Sequence, residues 1–184
     1  MQNFDFYNPT RIVFGKDRLQ ELDQLIPKNS RVLVLYGGGS VKRFGTLDKV
    51  LAGLGNRTVF EFAGIEPNPR YETLMEAVDL VRRESVDFLL AVGGDSVMDG
   101  TKFVAAAAPF EGDEESLLEH GFAGLPVEQA LPLGTVATLP ATGSEMNMGA
   151  VVSHKGGKWP VMSPLLYPTF SFLDPSLTFS LPTR

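Results

Sequence analysis

The fold is indicated by a stretch that reads Arg31-Val-Leu-Val-Leu-Tyr36-Gly-Gly-Gly-Ser40, in which an apolar run ends on three glycines. A second stretch, Phe88-Leu-Leu-Ala-Val92-Gly-Gly-Asp-Ser96, repeats the arrangement. Continuous apolar runs of this kind are typical of buried parallel strands. Glycines let backbone N–H groups approach an anion with no Cβ in the way, and the helix that follows presents its positive end to the same charge. The two turns therefore predict a bound nucleotide.

Apolar runs alternate with helix-compatible segments through most of the chain. Strands are predicted at Arg31–Tyr36, Thr58–Phe62, Phe88–Val92 and Leu133–Thr138. Helices are predicted at Lys16–Leu25, Val41–Leu54, Tyr71–Arg83 and Ser96–Ala108, with a short one near Leu117. This order predicts an α/β fold with a Rossmann-like parallel sheet, helices on both faces, and a ligand at the carboxyl ends of the strands.

The two ends of the chain depart from this alternation. Phe4–Tyr7 and Arg11–Phe14 predict an N-terminal β-hairpin. Near the other end, Ala150–Ser153, Lys155–Lys158 and Phe170–Asp174 read as strand, turn and strand, and several prolines leave little room for helix. All 184 residues are expected to form one dinucleotide-binding domain.

The composition argues against several classes of partner. A formal net charge of -6 without a run of Lys or Arg argues against nucleic acid and anionic membranes. The absence of cysteine excludes disulfides and thiolate metal sites, and it agrees with a cytoplasmic location. The first residues do not resemble a signal peptide, and the apolar runs are too short to cross a bilayer. These features favour a cytoplasmic protein that acts on small molecules.

Six ordered blocks carry a resemblance to a known family. The blocks are Pro9–Gly15, Tyr36–Lys42, Gly64–Pro69, the Gly93 turn with Asp99–Lys102, Thr138–Glu145, and Leu173–Pro175 followed by Leu181-Pro182. In them the chain resembles the amino-terminal domain of the iron-containing (group III) alcohol dehydrogenases, and most closely the branch of NADPH-dependent aldehyde reductases and butanol dehydrogenases. The resemblance implies a nicotinamide cofactor and, in the intact enzyme, a small aldehyde or alcohol as substrate.

The resemblance implies that the first glycine turn holds the adenosine ribose. The residues at this position are Gly37, Gly38, Gly39 and Ser40. Relatives that use NAD have an acidic residue there, which this chain lacks. Because no carboxylate would repel a 2′-phosphate, the turn favours NADP over NAD, and Ser40, Lys42 or Arg43 could donate to that phosphate. Lys42 and Arg43 equally fit an exposed first helical turn.

The second turn resembles the pyrophosphate loop of the family. Gly93, Gly94 and Ser96 would supply donors, and Asp99 would buttress the loop or contact the ribose. Asp95 stands where the family usually has a third glycine, so its carboxylate would lie near the pyrophosphate and its Cβ would narrow the approach. Alternatively, Asp95 points to solvent or caps the following helix.

Later blocks complete the predicted cofactor site. The resemblance adds Asn68, Thr138, Thr142, Ser144, Asn147, Lys158 and Leu177. The threonines, Ser144 and Asn147 would contact the ribose and nicotinamide side. Lys158 would reach the ribose or a phosphate, and Leu177 would pack near the adenine or ribose. Turn geometry and core packing explain Asn147 and Leu177 equally well.

No metal ligand and no catalytic residue is predicted within the chain. The resemblance implies that a divalent metal, iron or zinc, is bound by an aspartate and several histidines of a second, all-helical domain, which we expect to be absent from this chain. The two histidines present, His120 and His154, lack ligand spacing. Because the metal polarises the substrate carbonyl, the chain is expected to hold NADP(H) without completing the reaction.

Other functions remain open at this stage. Asp95 and the missing second domain favour a non-catalytic nucleotide-binding or scaffold protein. A relative of glycerol dehydrogenase or dehydroquinate synthase would share the glycine turn, although the Gly64–Pro69 and Thr138–Glu145 blocks match the iron type better. The predicted hairpin and an exposed apolar face favour a homodimer.

Overall fold

The structure is a computed structural model, and it describes residues 3–119 and 127–180. The strands are β1 (Arg11–Phe14), β2 (Arg31–Tyr36), β3 (Thr58–Ala63), β4 (Phe88–Gly94), β5 (Leu133–Leu139), β6 (Gly149–His154), β7 (Gly157–Met162) and β8 (Phe170–Leu173). The α-helices are α1 (Leu22–Leu25), α2 (Ser40–Arg43), α3 (Thr46–Gly53), α4 (Tyr71–Arg83), α5 (Asp95–Ala107) and α6 (Ser116–Glu119). Short 3-10 turns lie at Leu19–Glu21, Pro164–Leu166 and Pro175–Ser180. Of the blocks quoted above, Leu181-Pro182 lies outside the described residues, as does His120.

Six strands form a parallel sheet in the order β1-β8-β5-β4-β2-β3. The predicted Rossmann-like sheet is confirmed. Tyr36 of β2 pairs with Val92 of β4, so the glycine turns that follow these strands lie side by side at the carboxyl edge. The β4–β5 register shifts between Gly93 and Gly94, where β4 turns into α5.

Alternate residues of the central strands face opposite sides of the sheet. Leu33 and Leu89 pack with α4 and α5 on one side, whereas Val34 and Leu90 pack with α1 and α3 on the other. All four are fully buried, and each such side chain contributes about 1.5–3 kcal/mol relative to exposure. The prediction of helices on both faces is confirmed. Among the described residues, no helix is both long and apolar enough to cross a membrane.

The predicted N-terminal hairpin is wrong. Residues 3–9 form no strand, and β1 pairs in parallel with β8 at the edge of the sheet. Asn8 explains the difference, because its amide donates to the Met146 carbonyl (2.8 Å) while its Oδ1 accepts from the Thr10 N–H (2.9 Å). This turn holds the chain against the loop that follows β5. Near the other end of the chain, β6 forms an antiparallel hairpin with β7.

Two predicted helices are shorter than expected. The Val41–Leu54 segment is divided into α2 and α3 at Gly45, whose φ of +72° no β-branched residue adopts readily. The Lys16–Leu25 segment contains a 3-10 turn followed by the four residues of α1. The predictions for α4 and α5 agree with the structure within one residue at each end.

Candidate functional site

A cleft of about 580 Å³ opens at the carboxyl edge of the sheet, between the two glycine turns. Predicted cofactor residues that line it are Gly37, Gly38, Ser40, Gly93, Gly94, Asp95, Ser96, Thr138, Thr142 and Leu177. Lining residues that were not predicted to bind the cofactor include Phe44, Thr46, Ile65 and Leu139, and Arg43, named above as a possible donor to the 2′-phosphate, also lines the cleft. Gly39 lines a smaller hollow beside the cleft, together with Gly38, Ser40 and Arg43. Parallel sheets bind ligands at this edge.

The glycines of the two turns are required for different reasons. A Cβ placed on Gly38 would meet no atom within 4 Å, and Gly38 lines the cleft, so a side chain there would occupy ligand space. Gly39 has a φ of +97°, which disfavours other residues. At Gly93, by contrast, a Cβ would lie 2.6 Å from Cγ2 of Val97. The packing of α5 against β4 therefore requires Gly93 whether or not a ligand is bound.

Helix α5 begins at the cleft. The helix has 13 residues and starts at Asp95. The N-cap residue is Gly94, which has no side chain to bond the first N–H groups. The first N–H groups and the positive end of the helix dipole are therefore available to an anion. Ser96 Oγ accepts a hydrogen bond from the Asn68 N–H (3.1 Å). Asn68 thus supports the wall of the cleft through Ser96 and does not line the cleft itself.

Asp95 connects α5 to the loop after β5. Its Oδ2 accepts a hydrogen bond from the Thr142 N–H at 2.5 Å. Its Oδ1 is buried and has no hydrogen-bond partner among the described residues. The carboxylate does not cap α5, because Oδ2 bonds the Thr142 N–H and Oδ1 bonds none of the described residues. An uncompensated carboxylate oxygen thus lies at the lining of a cleft that is otherwise suited to an anion.

Ser144 and Asp99 form a buried network and do not line the cleft. Ser144 Oγ donates to Asp99 Oδ1 (2.6 Å), and the Val151 N–H donates to Asp99 Oδ2 (3.0 Å). The Lys102 ammonium donates to Ser144 Oγ at 3.0 Å. Burial raises the pKa of Asp99, while the hydrogen bonds from Ser144 and Val151 oppose the shift.

Lys102 also holds Asn147, another residue predicted to contact the cofactor. Its ammonium reaches the carbonyl oxygen and Oδ1 of Asn147 (2.8 and 2.9 Å) and the carbonyl oxygen of Gly149 (2.9 Å). Burial lowers the pKa of Lys102 to about 8, although Asp99 and other carboxylates oppose the shift. Lys102 ends the quoted block Asp99-Gly-Thr-Lys102, but nothing in the sequence alone indicates its role.

Lys42 and Lys158, both predicted to bind the cofactor, do not line the cleft. Lys42 Nζ lies 3.4 Å from Glu61 Oε2 and 5.1 Å from the centre of the Tyr36 ring. Lys158 lies in β7, rather than on the turn, and is exposed. Arg43 lines both the cleft and the adjoining hollow, and its guanidinium stacks 4.7 Å from the Phe44 ring.

Residues 9–175 match the sequence profile of the iron-containing alcohol dehydrogenases. The chain belongs to this family. The predicted resemblance is thereby confirmed.

Relatives match this chain over about half of their own length. NADPH-dependent aldehyde reductase YqhD of Escherichia coli is 54% identical over 188 residues, which cover 100% of this chain and 48% of that protein. The probable NADH-dependent butanol dehydrogenase 1 of Bacillus subtilis is 46% identical, covering 99% of this chain and 48% of the relative. The crystal structure of Escherichia coli YqhD gives a TM-score of 0.93 over 98% of this chain and 47% of that one, at 54% identity.

The metal implied by the family does not fit the described residues. Residues 3–119 and 127–180 contain no group of three or more His, Cys, Asp or Glu side chains that could hold a metal ion. The imidazole of His154 lies between two carboxylates, with Nδ1 3.3 Å from Glu72 and Nε2 3.4 Å from Glu115. Its two nitrogens point to different carboxylates, so this set does not converge on one ion.

Proposed function

We propose that the chain is the NADP(H)-binding domain, residues 1–184, of an oxidoreductase that interconverts aldehydes and primary alcohols. The observation that carries the proposal is the cleft between two adjacent glycine turns, with the N-terminus of α5 open to it. The names of the relatives, an NADPH-dependent aldehyde reductase and butanol dehydrogenases, support the reaction class. The absence of cysteine supports a cytoplasmic location.

In this proposal each turn binds a different part of the cofactor. Gly38 and Ser40 contact the adenosine ribose, and the backbone N–H groups at the start of α5 bind the pyrophosphate. Thr138 and Thr142 border the nicotinamide side, and Leu177 packs near the adenine or ribose. The cofactor, when bound, supplies or accepts the hydride. The chain's own contribution is to bind and orient it.

NADP is preferred over NAD in this proposal because the charges at the first turn suit a phosphate. No acidic residue lies in the Gly37–Ser40 turn. Arg43 lines both the cleft and the adjoining hollow, and the structure gives it no ion pair in the described residues. Lys42 is held by Glu61, so Arg43 is the better placed of the two cations to pair with a 2′-phosphate.

The proposal is tested by titrating the purified chain with NADPH and NADH and following the fluorescence of the reduced nicotinamide. We expect NADPH to bind more tightly, and adenosine 2′,5′-bisphosphate to bind more tightly than AMP. No binding at millimolar NADPH would exclude the cofactor function. Equal affinities for NADPH and NADH would overturn the preference for NADP but not the cofactor site.

A second candidate is a nucleotide-binding module without catalysis. The unpartnered Asp95 Oδ1 and the lack of a metal-binding group in the described residues favour it. Both candidates predict nucleotide binding and no turnover by the chain alone, and they differ only in whether the intact protein reduces an aldehyde. We expect the chain alone to reduce no short-chain aldehyde with NADPH and added Fe²⁺ or Zn²⁺, because nothing described here holds the metal.

We further propose that two copies associate through the N-terminal segment. Phe4, Phe6 and Tyr7 are 83%, 79% and 86% exposed, and they adjoin the edge strand β1. Large exposed apolar side chains beside an unpaired sheet edge are typical of an interface. Light scattering should give the mass of a dimer, and the double change Phe4→Ser with Phe6→Ser should shift it to the monomer. A monomeric unchanged chain would refute this.

A further inference from the structure

Helix α5 presents three polar residues on one face, all bonded to the segment 142–151. Asp95, Asp99 and Lys102 follow one another at spacings of four and three residues, which places them in one row along the helix. Asp95 accepts from the Thr142 N–H, and Asp99 accepts from the Val151 N–H. The row therefore attaches the loop that follows the cleft wall to the helix that begins at the second glycine turn.

Lys102 makes the largest number of these bonds. Its side chain is fully buried, and its three ammonium protons face four oxygens of the segment, on Ser144, Asn147 and Gly149. Ser144 donates its own proton to Asp99, which leaves a lone pair for Lys102. A buried ammonium is costly unless it is satisfied in this way. The arrangement therefore fixes the segment in a single position.

The first glycine turn is independent of this network. Gly37–Ser40 follows β2, and none of the hydrogen bonds of Lys102 reaches it. A change at Lys102 should thus displace one wall of the cleft and leave the other in place.

We propose that Lys102 is a positioning residue, which holds the wall formed by Thr142 and its neighbours at a fixed distance from the start of α5, so that the nicotinamide side of the cofactor is oriented. The inference rests on the proposed function. It differs from the proposed contacts because Lys102 does not line the cleft and acts through Ser144 and Asn147.

The test compares two ligands on the unchanged chain and on Lys102→Met, which keeps an unbranched side chain of similar length without the ammonium. We expect the dissociation constant of NADPH to rise at least tenfold, and that of adenosine 2′,5′-bisphosphate to change less than twofold. A general loss of structure would weaken both ligands equally. The ratio of the two constants therefore separates positioning from folding.

Thr101→Val is the matched control. Thr101 is the buried neighbour of Lys102, and its hydroxyl bonds only within α5, to the Val97 carbonyl (2.8 Å). This variant should leave the ratio unchanged. If Lys102→Met does not fold, Lys102→Gln, which keeps N–H donors with shorter reach, is measured in the same way.

Equal weakening of both ligands, or an unchanged affinity for NADPH, would overturn the inference while the proposed function stands. Absence of NADPH binding by the unchanged chain would overturn the proposed function and this inference with it.

Discussion

Replacing Asp95 by Asn should tighten NADPH binding, because it removes a negative charge from the place where a pyrophosphate is expected. The amide oxygen of Asn can still accept the Thr142 N–H bond that Asp95 makes, so the cleft wall is retained. The amide nitrogen would take the place of Oδ1, which is buried and has no hydrogen-bond partner in the described residues, so the change breaks no hydrogen bond. The change thus alters charge with little change in shape.

The size of the effect follows from Coulomb's law. Two unit charges about 5 Å apart repel by about 3 kcal/mol at an effective dielectric constant of about 20, and by about 0.8 kcal/mol in bulk water. Asp95 is partly exposed, so the value lies between these limits. We expect the dissociation constant of NADPH to fall roughly 5- to 100-fold. Loss of the carboxylate at the helix N-terminus should lower stability by about 0.3–1 kcal/mol.

The assay is a fluorescence titration with NADPH at low and at high salt, since screening should shrink the difference between the variants. Asp48→Asn is the matched control, because Asp48 is an exposed carboxylate in the first turn of α3 that does not line the cleft. If Asp95→Asn binds NADPH no more tightly than Asp48→Asn does, the carboxylate does not face the bound pyrophosphate and the reasoning fails.

Three further predictions concern stability. The pKa of Lys102 is about 8 in the folded chain and higher in the unfolded chain, so the free energy of unfolding should rise by up to about 3 kcal/mol between pH 8 and pH 10. Urea titrations at several pH values test this rise, which Lys102→Met should lack. Gly134→Ala should cost about 1–3 kcal/mol or more in thermal unfolding, because its Cβ would lie 2.3 Å from Phe170, whereas a Cβ on Gly149 would make only ordinary van der Waals contacts at 3.7 Å, so Gly149→Ala should cost less. Arg57→Ala should lower the urea midpoint, with a loss of about 2–4 kcal/mol, because the buried guanidinium donates to four backbone carbonyls at the ends of α1 and α3; an unchanged midpoint would contradict this.

The central strands and the longer helices could be predicted because their signals are local. The apolar runs of β2 and β4 and the i, i+3, i+4, i+7 spacing of buried residues in α4 lie within single segments. The hairpin prediction failed because β1 pairs with β8, and Arg11 and Phe170 are distant in the sequence. An apolar run indicates that a strand exists, but it does not specify which distant strand pairs with it.

The site was predictable to a similar extent. Adjacent parallel strands bring both glycine turns to one edge, so about half of the cleft lining could be named from sequence. Polar residues near such turns are harder to assign, because a hydroxyl or amide can bond a ligand or another side chain. Ser144 and Asn147 bond Lys102 instead of lining the cleft, and only the tertiary structure shows this.

The close approach of Val97 to Gly93 has a consequence for how such motifs should be interpreted. Selection for folding alone would keep this glycine, even in a descendant that had lost all use for nucleotides. A glycine at this position in a distant homologue is therefore weak evidence that the homologue binds the cofactor. Packing does not require a glycine at Gly38. A bulky residue at that position would therefore be better evidence than a change at Gly93 that a homologue no longer binds the cofactor.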